Sequence, residues 1–344
     1  MNLMDVLLFQ DRSELRKLLK ESDRSLNINS KRELVEVLYP RLANFDDLKE
    51  RYQQLSNDAK KVILHLCYDK KMFISKEELN GFVPKRKGNE FHELINELAT
   101  NGLLFVFKQG NYVVPIQVKN ELIRCIQIEI KDNSFILPSS TSDQKEITIV
   151  TDIFAFVDFI MDKPLTLTKS GAMYKKDFQA LMNVFSYKES LPNDQWRFGY
   201  GRRFSLYPDR FSLIYDFCFS NGWLKETADT LTIHTSVEEL FEMRINELMQ
   251  SIVTYWHKLY RRPFPSVRLL YLLLFNSLVE GEAVEEDYLL SAFAPFVNEY
   301  YFDTKEDVIT KRFLQMLVYL DVVSKVELEH FTGYTIGPSH RFLK

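Results

Sequence analysis

Apolar residues recur at three- and four-residue spacing along most of the chain, and nearly every run ends on a turn signal. Leu15, Leu18 and Leu19 make one short apolar face. Leu34, Leu38 and Leu42 make another after Ser30, whose S-x-x-E pattern with Glu33 is a capping box. A helix pair over residues 11–43 is predicted, with SLNINSK between its members and Leu26 and Ile28 placed to plug the gap. KKVILHLCY then reads as an apolar helix, Ser75-Lys-Glu-Glu78 as a second capping box, and Phe91, Leu94, Ile95 and Leu98 as a third helix at i, i+3, i+4 and i+7. Asn101-Gly102 ends it. LLFVF, KQGN and YVVP follow as a hairpin turning at Gly110-Asn111. Three helices and then a hairpin is the order of a winged helix.

That order recurs. Ile153, Phe156, Val157 and Ile160 form one stripe, Phe178, Leu181, Met182 and Phe185 a second, and Phe211, Ile214, Tyr215 and Cys218 a third, ending at Asn221-Gly222 before the hairpin WLKETADTLTIHT. After a long helix over 237–259, helices are predicted at 267–278, 288–298 and 304–320, with VVSKVELEHFTGYTI as the last strands. The echo NGLLFVF…YVV, NGWLKE…LTI, LDVVSKV…YTI is an internal repeat of architecture. The expected fold is mainly α with small β-hairpins: tandem winged-helix-like domains preceded by a small helix-loop-helix module. Its parts are a helical module at 1–48, a first winged helix at 49–131 and a polar linker at 132–146. A second winged-helix-like domain at 147–235, a connecting helix at 236–262 and a third winged helix at 263–344 complete it.

Composition narrows what such a chain can do. With 344 residues and 46% hydrophobic content, packed cores are expected rather than disorder. A formal charge of −4 argues against a protein coated in basic surface, so any nucleic-acid contact must be local. Cys67, Cys125 and Cys218 are too few and too widely spaced for a disulfide framework or a zinc ribbon, and reduced, buried thiols are expected. The N-terminus has no basic region before its apolar residues and meets Asp5 and Asp11 at once, unlike a secretory signal. The longest apolar run, 269–275, is far below the about 20 residues a bilayer needs, so a cytoplasmic location without membrane partners is expected.

Catalytic motifs are sparse. No G-x-x-x-x-G-K-[ST] loop occurs, and Lys169-Ser170-Gly171 lacks the upstream glycine that lets backbone wrap a phosphate. Glu129-Ile130-Lys131 matches half of a nuclease metal site, but the IQIEIK run reads better as a solvated strand edge. The six histidines include no H-x-x-x-H pair, and His65 reads as a packed core residue. No catalytic residue, cofactor or metal is assigned.

Binding has better candidates. Lys85, Arg86 and Lys87 precede the third helix of the first winged helix, where helix amides and cations both favour phosphate, although Glu90, Glu93 and Glu97 follow on that helix. In WRFGYGRRFSLY, Arg197, Arg202 and Arg203 alternate with Trp196 and Tyr200 among other aromatics; arginines pair with phosphates and aromatics stack on bases. The alternative is that those aromatics pack inward while the arginines solvate a loop or cap carboxylates of a neighbouring domain. Lys31 and Arg32 of the N-terminal module, with Lys169, Lys175 and Lys176, are further candidates for the nucleic-acid backbone. Tyr300, Tyr301 and Phe302 are candidates for protein contact, with core packing as the alternative.

One run carries a family likeness. PLTLTKSGAMYKKDFQALM resembles the motif L-T-x-x-G-x-x-x-basic-basic-D-apolar-x-x-L of bacterial helicase-associated domain proteins, related to the N-terminal region of XPB-type helicases. The N-terminal helix pair is similar to SAP or Rho-N-type modules. The resemblance implies a non-catalytic accessory protein that binds DNA, or holds a DNA-processing partner on it, with an XPB-type helicase in trans as the natural partner. The alternative is a protein-interaction adaptor whose winged helices make protein contacts without DNA.

Overall fold

In the computed structural model, which describes residues 1–19, 29–82, 90–137, 146–192, 201–328 and 331–344, the chain is mainly helical with small antiparallel sheets. It divides into two compact units, Met1–Asp132 with Leu269–Ser277, and Asn133–Arg268 with Leu278–Lys344.

The first unit opens with α1 (Leu3–Phe9), α2 (Arg12–Lys17), α3 (Lys31–Ala43) and α4 (Phe45–Gln53). It continues through α5 (Asn57–Tyr68), α6 (Lys76–Phe82), α7 (Glu90–Thr100), β1 (Phe105–Val106), β2 (Tyr112–Val113) and α8 (Ile116–Asp132). Short polar side chains start these helices: Asn2, Ser30, Asn44 and Ser56 accept from the amides of Asp5, Glu33, Asp47 and Ala59. At Ser75 both halves of the predicted box are present, Glu78 N–H donating to Ser75 Oγ and Ser75 N–H to the Glu78 carboxylate. Such a cap is worth about 1 kcal/mol. Gly102 ends α7 at φ 64°, a conformation that side-chain-bearing residues rarely adopt.

The predicted N-terminal pair gains a helix that apolar spacing did not mark. Leu3, Val6 and Leu7 of α1 are fully buried in one cluster with Leu15, Leu34, Leu38, Leu42 and, from the hairpin, Phe105 and Val113. These short helices therefore share a core with the β1–β2 hairpin, which solves the problem that so small a pair has little surface to bury. Arg51 is buried beside them and donates to the carbonyls of Leu42, Asp47 and Asn101; burial lowers its pKa to about 10. One expectation is overturned: IQIEIK is the C-terminal part of the α8 helix, not a strand, so Glu129 and Lys131 are helical residues. Its alternation of apolar and charged residues mimics a strand, but the longer window from Ile116 has Val118, Leu122 and Cys125 buried at helical spacing. His65 is half-buried and stacks on Phe82 at 5.2 Å.

The second unit begins with β3 (Ser134–Ile136), inside the stretch expected to be linker; residues 138–145 of that stretch lie outside the described residues. Then come α9 (Thr148–Asp162), β4 (Leu165–Thr166), α10 (Lys175–Val184), α11 (Asp209–Ser220), β5 (Leu224–Glu226) and β6 (Thr230–Ile233). β6 lies between β4 and β5, antiparallel to both. The predicted long helix is broken into α12 (Glu238–Glu242) and α13 (Ile245–Tyr260), because Met243 and Arg244 are extended and Arg244 with Glu247 starts a new capped helix. α14 (Val267–Ser277) belongs from Leu269 onward to the first unit.

The chain ends with β7 (Glu282–Glu285), α15 (Glu286–Phe293), α16 (Lys305–Asp307), a π-helical turn at Val308–Leu314, α17 (Gln315–Tyr319), β8 (Val323–Glu327) and β9 (Thr332–Ile336). Their sheet has the order β3-β7-β9-β8. β3 pairs with β7 through Ser134–Val284, Phe135–Ala283 and Ile136–Glu282. Among the described residues no helix is long and apolar enough to cross a membrane.

Candidate nucleic-acid interface

The run from Leu167 to Leu181 folds into a tight loop feeding α10. Leu167 bridges Met173, Thr168 N–H donates to the Ala172 carbonyl at 2.7 Å, and Gly171 N–H donates to the Thr168 carbonyl at 2.8 Å. Ala172 N–H also reaches Thr168 Oγ1 at 3.1 Å, which gives the threonine of the motif a structural role. Tyr207 anchors the far side: its hydroxyl accepts from Met173 N–H at 2.6 Å, and burial pushes its pKa up to about 12. Gly171 sits at φ 76°, and a Cβ there would fall on the Arg203 guanidinium, 2.5 Å from Cζ and 2.8 Å from Nη1. Glycine is required twice over, by backbone conformation and by the close approach of the arginine.

Arg203 is itself held. It donates to the Ser170 carbonyl at 3.0 Å and to the Glu226 carboxylate, while Arg202 Nε donates to Glu226 Oε2 at 2.9 Å. The Tyr215 hydroxyl adds a third donor at 3.1 Å, and the Arg202 guanidinium lies 3.7 Å from the Phe219 ring centroid. The Glu226 side chain is only 7% exposed. Burial pushes its carboxyl up, yet the hydrogen bonds from Arg202 and Arg203 prevail and its pKa is lowered overall. One buried carboxylate held by two arginines leaves the knot with a net charge of +1, its arginine side chains still 34% and 29% exposed. Both arginines are therefore tied to one carboxylate of their own expected domain, not to one of a neighbouring domain.

The remaining candidates divide. Lys169, Lys175 and Lys176 are exposed and form no ion pair among the described residues; Lys163 is exposed nearby. Lys163, Leu165, Thr166, Tyr174, Lys176 and Asp177 edge a shallow cleft of about 170 Å³. Lys31 Nζ donates to the Leu8 carbonyl at 2.7 Å, and exposed Arg32 pairs with Glu36 at 2.7 Å. Lys85, Arg86, Lys87, Trp196, Arg197 and Tyr200 lie outside the described residues. Tyr301 and Phe302 are 75% and 78% exposed, at a turn where Tyr300 and Asp303 exchange backbone hydrogen bonds.

The helices that the sequence reading would place in a groove offer little to it. α7 contains no lysine or arginine, and its Glu97 is turned to Ser56, accepting from its N–H at 2.6 Å and its hydroxyl at 2.8 Å. α11 is buried around most of its circumference: Phe211, Ile214, Tyr215 and Cys218 face one core while Leu213 and Phe217 are buried too. α13 covers the second side, with Tyr255 packed 5.6 Å from Phe217 and donating to Asp216 at 2.6 Å. In the last repeat, Lys311 pairs with Asp307 at 2.6 Å and buried Arg312 with Asp303 at 2.8 Å.

A charged network that motif reading missed lies at the heart of the second unit. Arg210 and Asp152 are both fully buried and joined at 2.5 Å. Arg210 also donates to the Tyr319 carbonyl at 3.1 Å and to Thr148 Oγ1 at 3.2 Å, while Asp152 accepts from the amides of Ser186 and Tyr187. Asp321 accepts from Ile149 N–H at 2.7 Å and from the Thr148 hydroxyl; its pKa is raised by burial. Glu189 caps α11 by accepting from the amides of Arg210 and Phe211, and burial raises its pKa to about 7 against the pull of Arg210. The available signal was Asp152 itself, one acid within the apolar run TIVTDIFAFV, since a charge in a buried stripe requires a partner. The network splices α9, α11 and α17 together. No protein-family model matches the chain, and no curated protein matches it.

Proposed function

We propose that this chain is a non-catalytic accessory protein built from winged-helix units that hold protein partners, with a DNA-processing enzyme of the kind the LTKSGAMYKKDF resemblance indicates as the partner class. Three stretches support the winged-helix part. The first two run helix, strand or bridge, helix, helix and two strands with the last strand in the middle, Ile74-β2-β1 and β4-β6-β5; the third keeps the strand order β7-β9-β8, although α14 ahead of it belongs from Leu269 to the first unit. In a winged helix that reads DNA, the third helix enters the major groove and needs an exposed, cationic or amide-bearing face. The observation that carries the adaptor reading is that α7 has no cation, α11 is buried, and the last repeat's Lys311 and Arg312 are paired with acids. Arg202 and Arg203, the best cations of the sequence, are bound to Glu226.

A second reading rests on Lys163, Lys169, Lys175 and Lys176, which are exposed around β4 and the start of α10 and could follow a phosphate backbone. One pair of measurements separates the two. In nuclease-treated extract, cross-linking from the full-length chain should yield a stoichiometric complex with a DNA-processing protein. Purified chain should shift labelled duplex or single-stranded DNA weakly, with a salt slope no steeper than about 4, the ceiling for four lysines. Tight binding with a steeper slope, together with loss of the complex after nuclease treatment, would overturn the adaptor reading in favour of DNA binding.

A further inference from the structure

Three segments far apart in sequence bring phenylalanines together on the surface of the first unit. Phe107 lies between Phe9, at a centroid distance of 4.1 Å, and Phe73, at 4.7 Å. Next to them in the chain Leu8 and Met72 are each about half exposed, at 55% and 53%. Each segment is fixed by backbone. Gln10 Nε2 ties the end of α1 to the Val106 carbonyl at 3.0 Å. Ile74 and Tyr112 exchange two hydrogen bonds beside Phe73, and Phe107 N–H donates to the Asn111 carbonyl at 2.6 Å. The rings are thus held in place before any ligand arrives, which lowers the ordering cost of binding. An exposed, contiguous apolar patch of this kind marks an interaction site.

We infer that this patch, built on Leu8, Phe9, Met72, Phe73 and Phe107, docks an amphipathic helix of a protein partner whose polar side is acidic. The charge around the patch selects the occupant. Within two residues of its members along the chain stand Lys70, Lys71 and Lys108 against the single acid Asp11. Lys71 pairs with Glu78, whereas Lys70 is exposed and Lys108 places its ammonium 5.4 Å from the Phe9 ring centroid. Lys31 adds a further cation at the Leu8 carbonyl. Nucleic-acid bases fit less well, because Phe107 already packs against Phe9 and Phe73, Lys108 stands over the Phe9 ring, and the exposed carbon of Leu8 and Met72 is aliphatic. What remains open is part of the Phe9 and Phe73 rings, 38% and 37% exposed, with aliphatic carbon and the adaptable Met72 thioether, a surface suited to an apolar helix face.

This inference rests on the adaptor reading and is tested separately from it. Displayed libraries of helices with one apolar face, carrying either acidic or lysine-rich opposite faces, are selected against the full-length chain. Acidic helices should enrich, and a selected peptide should bind at least tenfold more weakly to the Leu8→Glu/Met72→Glu variant, whose exposed substitutions leave the melting temperature unchanged. Lys108→Glu should weaken the same peptide several-fold and reduce the preference for acidic over basic helices. No enrichment, equal enrichment of both libraries, or affinity unchanged by Leu8→Glu/Met72→Glu overturns the site. So does single-stranded oligonucleotide or anionic-vesicle binding that is abolished by the same variant. If the site fails while the cross-linked complex of the preceding section survives, the adaptor reading stands and only its docking surface is wrong.

Discussion

Replacing Arg210 by methionine strands a buried carboxylate and offers the sharpest test of how the second unit is held together. In the wild type, Asp152 is fully buried and balanced by Arg210 at 2.5 Å, with two further bonds from the amides of Ser186 and Tyr187. Methionine fills much of the arginine's volume but leaves that charge uncompensated, and it removes the bonds to Thr148 Oγ1 and the Tyr319 carbonyl. Breaking a buried pair from one side costs about 3–5 kcal/mol. For a unit of this size that corresponds to a fall in melting temperature of about 6–20 °C. Tryptophan fluorescence during urea unfolding is the natural assay, because Trp223 and Trp256 are both buried in the second unit. Adding Asp152→Asn to Arg210→Met removes the stranded charge while keeping an acceptor for an amide, and should restore about 1–3 kcal/mol. A loss below about 1 kcal/mol for the single variant, or no recovery in the double, would refute the view that this pair splices the unit.

Gly171→Ala should destabilise the second unit by at least about 1–2 kcal/mol from its left-handed backbone alone. Part of the total should disappear in an Arg203→Ala background, where the steric collision is gone; strict additivity in the double-mutant cycle would contradict the packing argument. Glu189 has a folded pKa of about 7 against an ordinary 4.5, so the folded state holds the proton more tightly and stability falls as pH rises from about 4.5 through about 7. The shift corresponds to about 3 kcal/mol. His257 and His340, both lowered by burial to about 4, act oppositely, their stability being lost as pH falls below 6.5. The test is therefore the difference between wild type and Glu189→Gln, whose stability advantage should grow across pH 5–7; a pH-independent difference would sink it. Cys67, Cys125 and Cys218 are all buried, with thiol pKa values raised by burial, and should react with a thiol reagent only on unfolding. Rapid labelling of the native chain would contradict their placement.

Much of the architecture was legible as periodicity. The stripes Phe91–Leu98, Ile153–Ile160 and Phe178–Phe185, the Ser75 box and the Gly102 and Gly222 ends all depend on neighbours within a turn or two, and local physics fixes them. Where periodicity was ambiguous, the result turned on distant contacts. IQIEIK alternates like a strand, yet it lies in a helix whose buried side is set by a 17-residue window. β3 looked like linker because three residues carry no period of their own; pairing with β7, nearly 150 positions away, makes them a strand.

The candidate site shows the same division more sharply. Sequence alone determined that the chain is mainly helical with small antiparallel sheets, and that Arg202, Arg203 and the lysines of the LTKSGAMYKKDF run are its conspicuous cations. Only the tertiary structure decided which of those charges remain available. A cation in a sequence has the same charge wherever it stands, but its capacity to bind a partner depends on whether a carboxylate has already met it. Glu226 lies more than twenty positions beyond the two arginines, and only the fold brings them together. The exposed phenylalanine patch arises likewise, because Phe9, Phe73 and Phe107 become one surface only when α1, the bridge at Ile74 and the β1–β2 turn converge.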